Sequence, residues 1–279
     1  MQTQSETKPA RRTSTAFSRV VVGIDSSPES LEAARQASAL AEGPISLVAA
    51  YDLSSGLVGG VGPAVPAYLD DRPLHEIAAE SLVQAQKEIP NAETSTEIWR
   101  GRPWEALLRT VESVEATLLA VGSHGTGRAL GIVIGSTATE VIHKAPCSVL
   151  VARTAFKFPS RIVVGVDGSD ESLAAYEIAQ AVAARFEARL DPILASLEDD
   201  VDTETIEKLV GGRVRSGFNL AADAPGAAST DADLVGRGFS DGRLDGAHRR
   251  GQGRLTLLSR LGAYPVADEG AAGWVDAQG

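Results

Sequence analysis

Arg19-Val-Val-Val-Gly-Ile-Asp-Ser-Ser-Pro-Glu-Ser-Leu31 and Arg161-Ile-Val-Val-Gly-Val-Asp-Gly-Ser-Asp-Glu-Ser-Leu173 are one pattern, met again 142 residues later. Arginine, glycine, aspartate, serine, glutamate and leucine return at a constant offset. A match of this length and type marks an internal duplication. The offset is too long for a solenoid unit and has the length of a domain. A chain of 279 residues is therefore expected to hold two related domains rather than one large one.

Each repeat opens with a short, mostly β-branched run, the mark of a buried strand. A Ser/Asp/Gly cluster follows, which is turn and N-cap chemistry. Then comes an alanine-rich helix, over 30–42 in the first half and 171–189 in the second. In the first half the pattern continues with strands over 45–51, 95–99, 116–121 and 148–152, and helices over 74–87, 103–113 and from Gly135 to His143. A Gly- and Pro-rich loop spans 53–73. Strand and helix alternate throughout, so the expected fold is α/β: two tandem open parallel sheets, the second incomplete. Such sheets bind ligands at the carboxyl ends of strands where the strand order reverses. Asp25 follows the first strand and Gly122 the fourth, so both face one crevice if those strands are neighbours.

Composition narrows the function. The net charge is −11, and no overall basic field opposes the phosphates of a nucleic acid, so no nucleic-acid partner is expected. Cys147 is the only cysteine and there are four histidines, which argues against a disulfide framework or a cysteine or histidine metal cluster. No apolar run has the length of a membrane span, and 1–18 lacks the apolar core of a secretory signal. The expectation is a cytoplasmic protein with no membrane contact and a disordered lead-in over 1–18.

The most informative segment is Gly122-Ser-His-Gly125-Thr-Gly-Arg-Ala-Leu-Gly-Ile-Val-Ile-Gly135-Ser136. Glycines at a strand end let backbone N–H groups approach an anion. Gly135 and Ser136 open a helix whose free N–H groups and dipole attract negative charge, and Ser136 and Thr137 add hydroxyls. The spacing is neither a Walker loop nor a dinucleotide fingerprint. For Asp25 two roles stay open, ligand contact and N-cap of the first helix. For Asp167 the structural role is preferred. His124 has no partner acid or nucleophile in the pattern and reads as a loop residue.

The order Gly, two residues, Gly, nine residues, Gly, Ser resembles the ATP-binding signature of the universal stress protein family. Val-Val-Val-Gly-Ile-Asp25 and Ala145-Pro146-Cys147-Ser148-Val149-Leu150-Val151 resemble that family too, and the likeness covers 19–153. It implies a five-stranded parallel sheet with helices on both faces. It also implies adenosine held by Asp25 and Ala50 near Val121, and ribose and phosphates held by Gly122, Gly125, Gly135 and Ser136 with Thr137 beside them. ATP is the implied ligand.

After a linker over 154–160, the second half departs from the pattern. The segment 161–236 reproduces the first strand and resembles the fourth, but no Gly-x-x-Gly follows Gly236 at the strand end; the one in the tail, Gly270-Ala-Ala-Gly273, lies more than thirty residues further on. The Gly- and Arg-rich tail over 237–279 lacks a closing strand of the Val149–Val151 kind, and Leu255 to Leu261 is its only clear apolar run. A degenerate second half that does not bind ATP in this mode is expected. Three readings follow from the resemblance. One is a nucleotide-dependent regulatory module of the stress response that signals to a protein partner. Another is a slow ATP hydrolase with Mg²⁺ at Asp25 and Arg128 near the phosphates. The third is a nucleotide-free scaffold. A homodimer through the edge of the strand over 148–152 is expected with the first.

Overall fold

A computed structural model describes residues 16–52, 71–123, 134–153, 158–194, 203–211, 234–238 and 255–259. The first half runs β1 (Val20–Ile24), α1 (Pro28–Leu40), β2 (Ile45–Tyr51), α2 (Arg72–Glu88), β3 (Thr94–Arg100), α3 (Pro103–Ser113), β4 (Leu118–Gly122), α4 (Ser136–Lys144) and β5 (Ser148–Ala152). The second continues with β6 (Arg161–Val166), α5 (Asp170–Phe186), β7 (Arg189–Leu194), α6 (Thr203–Val210), β8 (Leu234–Gly238) and β9 (Leu255–Ser259). All the strands share one sheet, in the order β3-β2-β1-β4-β5-β9-β8-β6-β7.

Strands β1 to β5 pair in parallel, as the continuous apolar runs require of a sheet covered on both sides. Alternate side chains feed two cores. Val20, Val22 and Ile24 pack with Ala33, Ala37 and Leu82 of α1 and α2. Val21 packs on the other face with Leu107, Val111 and Val141 of α3 and α4. The helix starts follow local chemistry. Ser27 caps α1 by accepting from the Ser30 N–H, and Ser169 caps α5 by accepting from Ser172. Pro103 opens α3, where a missing N–H costs nothing.

In the second half, α5 and α6 join the same core cluster as α1 and α2, through Ala175, Tyr176, Ile206 and Val210. Arg185 of α5 ties the halves together. Its guanidinium donates to the carbonyls of Leu40 and Ala41 at 3.1 Å each, satisfying the free end of α1.

Three expectations change. The lead-in over 1–18 falls mostly outside the described residues, but Phe17 is 1% exposed and its carbonyl accepts from Glu42 N–H at 2.9 Å, so the folded unit already includes it. An aromatic ring beside a strand gains more from burial than from solvation. The loop placed over 53–73 gives up Arg72 and Pro73 to α2, and 53–70 lie outside the described residues. The tail over 237–279 does contribute a strand. β9 pairs in parallel with β5, Val149 to Thr256 through Val151 to Leu258, and antiparallel with β8. Every residue of β5 is buried, and a buried strand cannot leave its outer amides unpaired. The one apolar run of the tail fills that edge, so the edge expected to join two chains is taken within one.

Candidate functional site

β1 lies between β2 and β4, so the strand order reverses there: β2 and β3 follow on one side of β1, and β4 and β5 on the other. A cleft of about 240 Å³ opens at the carboxyl ends of these strands. Asp25, Ala50, Val121, Gly122, Gly135, Ser136 and Thr137 all line it. These are seven of the eight residues singled out in the sequence. The eighth, Gly125, lies outside the described residues, as do His124 and Arg128. The lining also holds Ser30, Val48, Pro103 and Leu107, which the motif did not mark. Pro103 and Leu107 are four apart on α3 and share a helix face, a signal that was readable. Ser30 belongs to the repeated segment and was readable too.

One wall is apolar, built by Val48, Ala50, Leu107 and Val121. It suits a flat aromatic base. The head of α4 lines the same cleft. Its N-cap is Gly135, with no side-chain capping bond, so the first-turn amides beyond it stay available beside the hydroxyls of Ser136 and Thr137. The Gly135 N–H itself donates to the Ser123 carbonyl at 2.6 Å. That bond ties the end of β4 to the start of α4. An uncapped helix start with neighbouring hydroxyls is a donor set suited to phosphate oxygens.

Asp25 is not the N-cap of α1; Ser27 is. Asp25 instead braces the cap. Its Oδ1 accepts from the Ser27 hydroxyl at 2.6 Å and from the Ser27 N–H at 3.1 Å, which fixes the carboxylate of this lining residue. Its own N–H donates to Ser30 Oγ at 3.3 Å. The turn needs left-handed backbone at Ser26, φ 65°.

The second half repeats this turn bond for bond. Asp167 Oδ1 accepts from Ser169 Oγ at 2.6 Å and from its N–H at 2.9 Å, and Gly168 takes the left-handed position at φ 85°. Burial pushes the Asp167 carboxyl up, but the Ser169 bonds outweigh it and hold the group below the usual carboxylate value. The registers Val20 to Leu118 and Ile162 to Leu234 place Gly238, not Gly236, at the position of Gly122. The boundary drawn at 236 therefore cuts through β8. The two-residue slip arose because Gly236 and Gly238 both offer a strand-end glycine.

Comparison with known proteins adds the lineage. Residues 16–153 match the profile of the universal stress protein family. A universal stress protein of Thermus aquaticus, encoded in the QAH/OAS sulfhydrylase 3′ region, is 32% identical over 96 residues, covering 32% of this chain and 70% of that protein. The universal stress protein Rv2624c of Mycobacterium tuberculosis is 35% identical over 148 residues, 50% of this chain and 52% of that one. The chain thus spans about half the length of that relative. The crystal structure of a universal stress protein from Archaeoglobus fulgidus superposes with a TM-score of 0.61 at 18% identity, over 88% of this chain and 97% of that chain. That likeness shows a shared fold across both halves.

Proposed function

The chain belongs to the universal stress protein family, and from that premise we propose that it is a cytoplasmic, ATP-binding regulatory module of the stress response. One observation carries the reading. Seven residues chosen from sequence, scattered from Asp25 to Thr137, converge on one cleft at the reversal of strand order. The base lies against Val48, Ala50, Leu107 and Val121. Asp25 Oδ2 takes a sugar hydroxyl, and the phosphates meet the head of α4, Ser136 and Thr137. Magnesium enters, where present, with the nucleotide. Occupancy acts on a protein partner by favouring one shape of the chain over another. A homodimer across β5 requires β9 to leave that edge.

The test is calorimetric titration of ATP with Mg²⁺ into the whole chain and into Ser136→Glu. Ser136 is exposed in the first turn of α4. A carboxylate there favours the helix dipole and repels phosphate, so the variant stays folded while the site closes. One site per chain, lost in Ser136→Glu, is the expected result. Two sites would mean that the second half also binds. No binding to the folded wild type would overturn the reading and leave a nucleotide-free scaffold.

A further inference from the structure

The head of α1 belongs to the cleft, and its tail is held by the second half. At the head, Ser30 lines the cleft together with Asp25. Ser30 Oγ accepts from the Asp25 N–H at 3.3 Å and donates to the Ser27 carbonyl at 3.0 Å, while the Ser30 N–H donates to Ser27 Oγ at 3.1 Å. The same turn touches β4 backbone to backbone. A Cβ on Gly122 would stand 2.8 Å from the Glu29 carbonyl carbon. A displacement of this turn therefore displaces cleft residues with it.

At the tail, α1 has no basic residue of its own in the last turn. Arg185, in the last turn of α5, takes that place. One terminal nitrogen donates to the Leu40 carbonyl and the other to the Ala41 carbonyl, and Glu42 Oε1 lies 3.6 Å from the same guanidinium. The last carbonyls of a helix have no partner within it, and a cation there opposes the negative pole of the dipole. The anchor of a first-half helix thus comes from the second half. Between the two ends, α1 packs through Ala33, Ala34 and Ala37, each 0% exposed. Such short side chains hold the helix close to its neighbours, and a close-packed interior passes strain on rather than absorbing it.

We propose that Arg185 is a positioning residue for the nucleotide cleft: by anchoring the tail of α1 it holds Ser30 and the Asp25 turn in place, and so makes ATP affinity in the first half depend on the second. The inference rests on the cleft being the nucleotide site. Linkage requires the converse as well, so bound ATP favours the anchored state of the last turn of α5.

The experiment titrates ATP with Mg²⁺ into the whole chain by calorimetry, for wild type, Arg185→Gln and Ser169→Ala, with a urea melt of each. Hydrogen exchange is followed with and without ATP. Ser169→Ala removes the cap at the other end of α5 and controls for a loss of stability in the second half alone. Arg185→Gln is expected to weaken ATP about fivefold, the lower end of coupling between sites, and Ser169→Ala to bind as wild type does. ATP is expected to slow exchange at the amides of Ala184, Arg185 and Phe186 in wild type and not in Arg185→Gln. A folded Arg185→Gln chain with wild-type affinity overturns the inference. So does an equal loss in Ser169→Ala, which would mean that any loosening of the second half suffices. Unchanged exchange at those three amides in ATP-bound wild type overturns it too, whether or not Arg185→Gln folds. A folded wild type that does not bind ATP overturns the nucleotide site itself, a result distinct from all of these.

Discussion

A Cβ added to Gly122 would stand 2.8 Å from the backbone nitrogen of Ser30. The end of β4 and the first turn of α1 are in direct backbone contact, and only a glycine permits it. The resemblance assigns Gly122 to phosphate approach, yet the contact that demands its small size is with the protein. Gly122→Ala is therefore expected to cost about 1–3 kcal/mol by overpacking, and Gly122→Val more. Urea denaturation measures this. An unchanged midpoint would show that α1 shifts freely.

Ser27 and Ser169 make the same cap, so they form a matched pair of probes. Ser27→Ala and Ser169→Ala are each expected to lose about 1 kcal/mol of stability, with a range of about 0.5–2 kcal/mol. The two differ in what else they disturb. Ser27→Ala also removes the 2.6 Å hydroxyl bond to Asp25, so on the proposed ATP site a several-fold loss of ATP affinity is expected. Ser169→Ala leaves affinity unchanged. Equal effects on binding would mean that orientation of Asp25 is irrelevant to the ligand.

The first half was legible because its signals are local and redundant. β2 and β5 lie where their apolar runs end, at Ile45–Tyr51 and Ser148–Ala152, and α3 starts at Pro103 as its proline dictates. The site was legible because the glycine spacing and the repeated Asp25 turn both point to the carboxyl ends of β1 and β4. Three things were not. Phe17 precedes its strand in a polar segment, and only tertiary burial reveals it. The contact between Gly122 and Ser30 joins residues 92 positions apart. β9 is a short run in a Gly- and Arg-rich tail, and its role depends on a distant unfilled edge.

Asp167 gives the second half a pH signature. Its folded value lies below the 3.8 of the free group, so the unfolded chain binds more protons in the window between the two. Stability from this group is complete above about pH 4 and is lost as pH falls through the lower, folded value. Asp191 behaves alike: burial pushes it up, while bonds from Arg161 at 2.8 Å and Arg189 at 2.7 Å bring it below its usual value. Asp167→Asn is expected to flatten the acid limb of the stability profile, measured by urea melts from about pH 6 down to about pH 3. An unchanged slope would show that the Ser169 bonds persist in the unfolded chain.

Among the described residues, β9 is the strand through which the two halves of the sheet connect, with β5 on one side and β8 on the other. Leu257 faces Leu150 and Gly236 in the two ladders. Proline there removes a backbone donor from a strand paired on both sides, a place where the ladder does not accommodate it. Leu257→Pro is expected to release β9 and speed hydrogen exchange at the amides of β5, while β1 and β2 stay protected. The freed β5 edge is then open to a second chain, and the mass in solution should move from 29.0 kDa toward twice that value as concentration rises. Slow exchange at β5 in a folded Leu257→Pro chain would show that β9 is not its cover. A wild type already of doubled mass would show that the chains meet through another surface, since β9 holds this one.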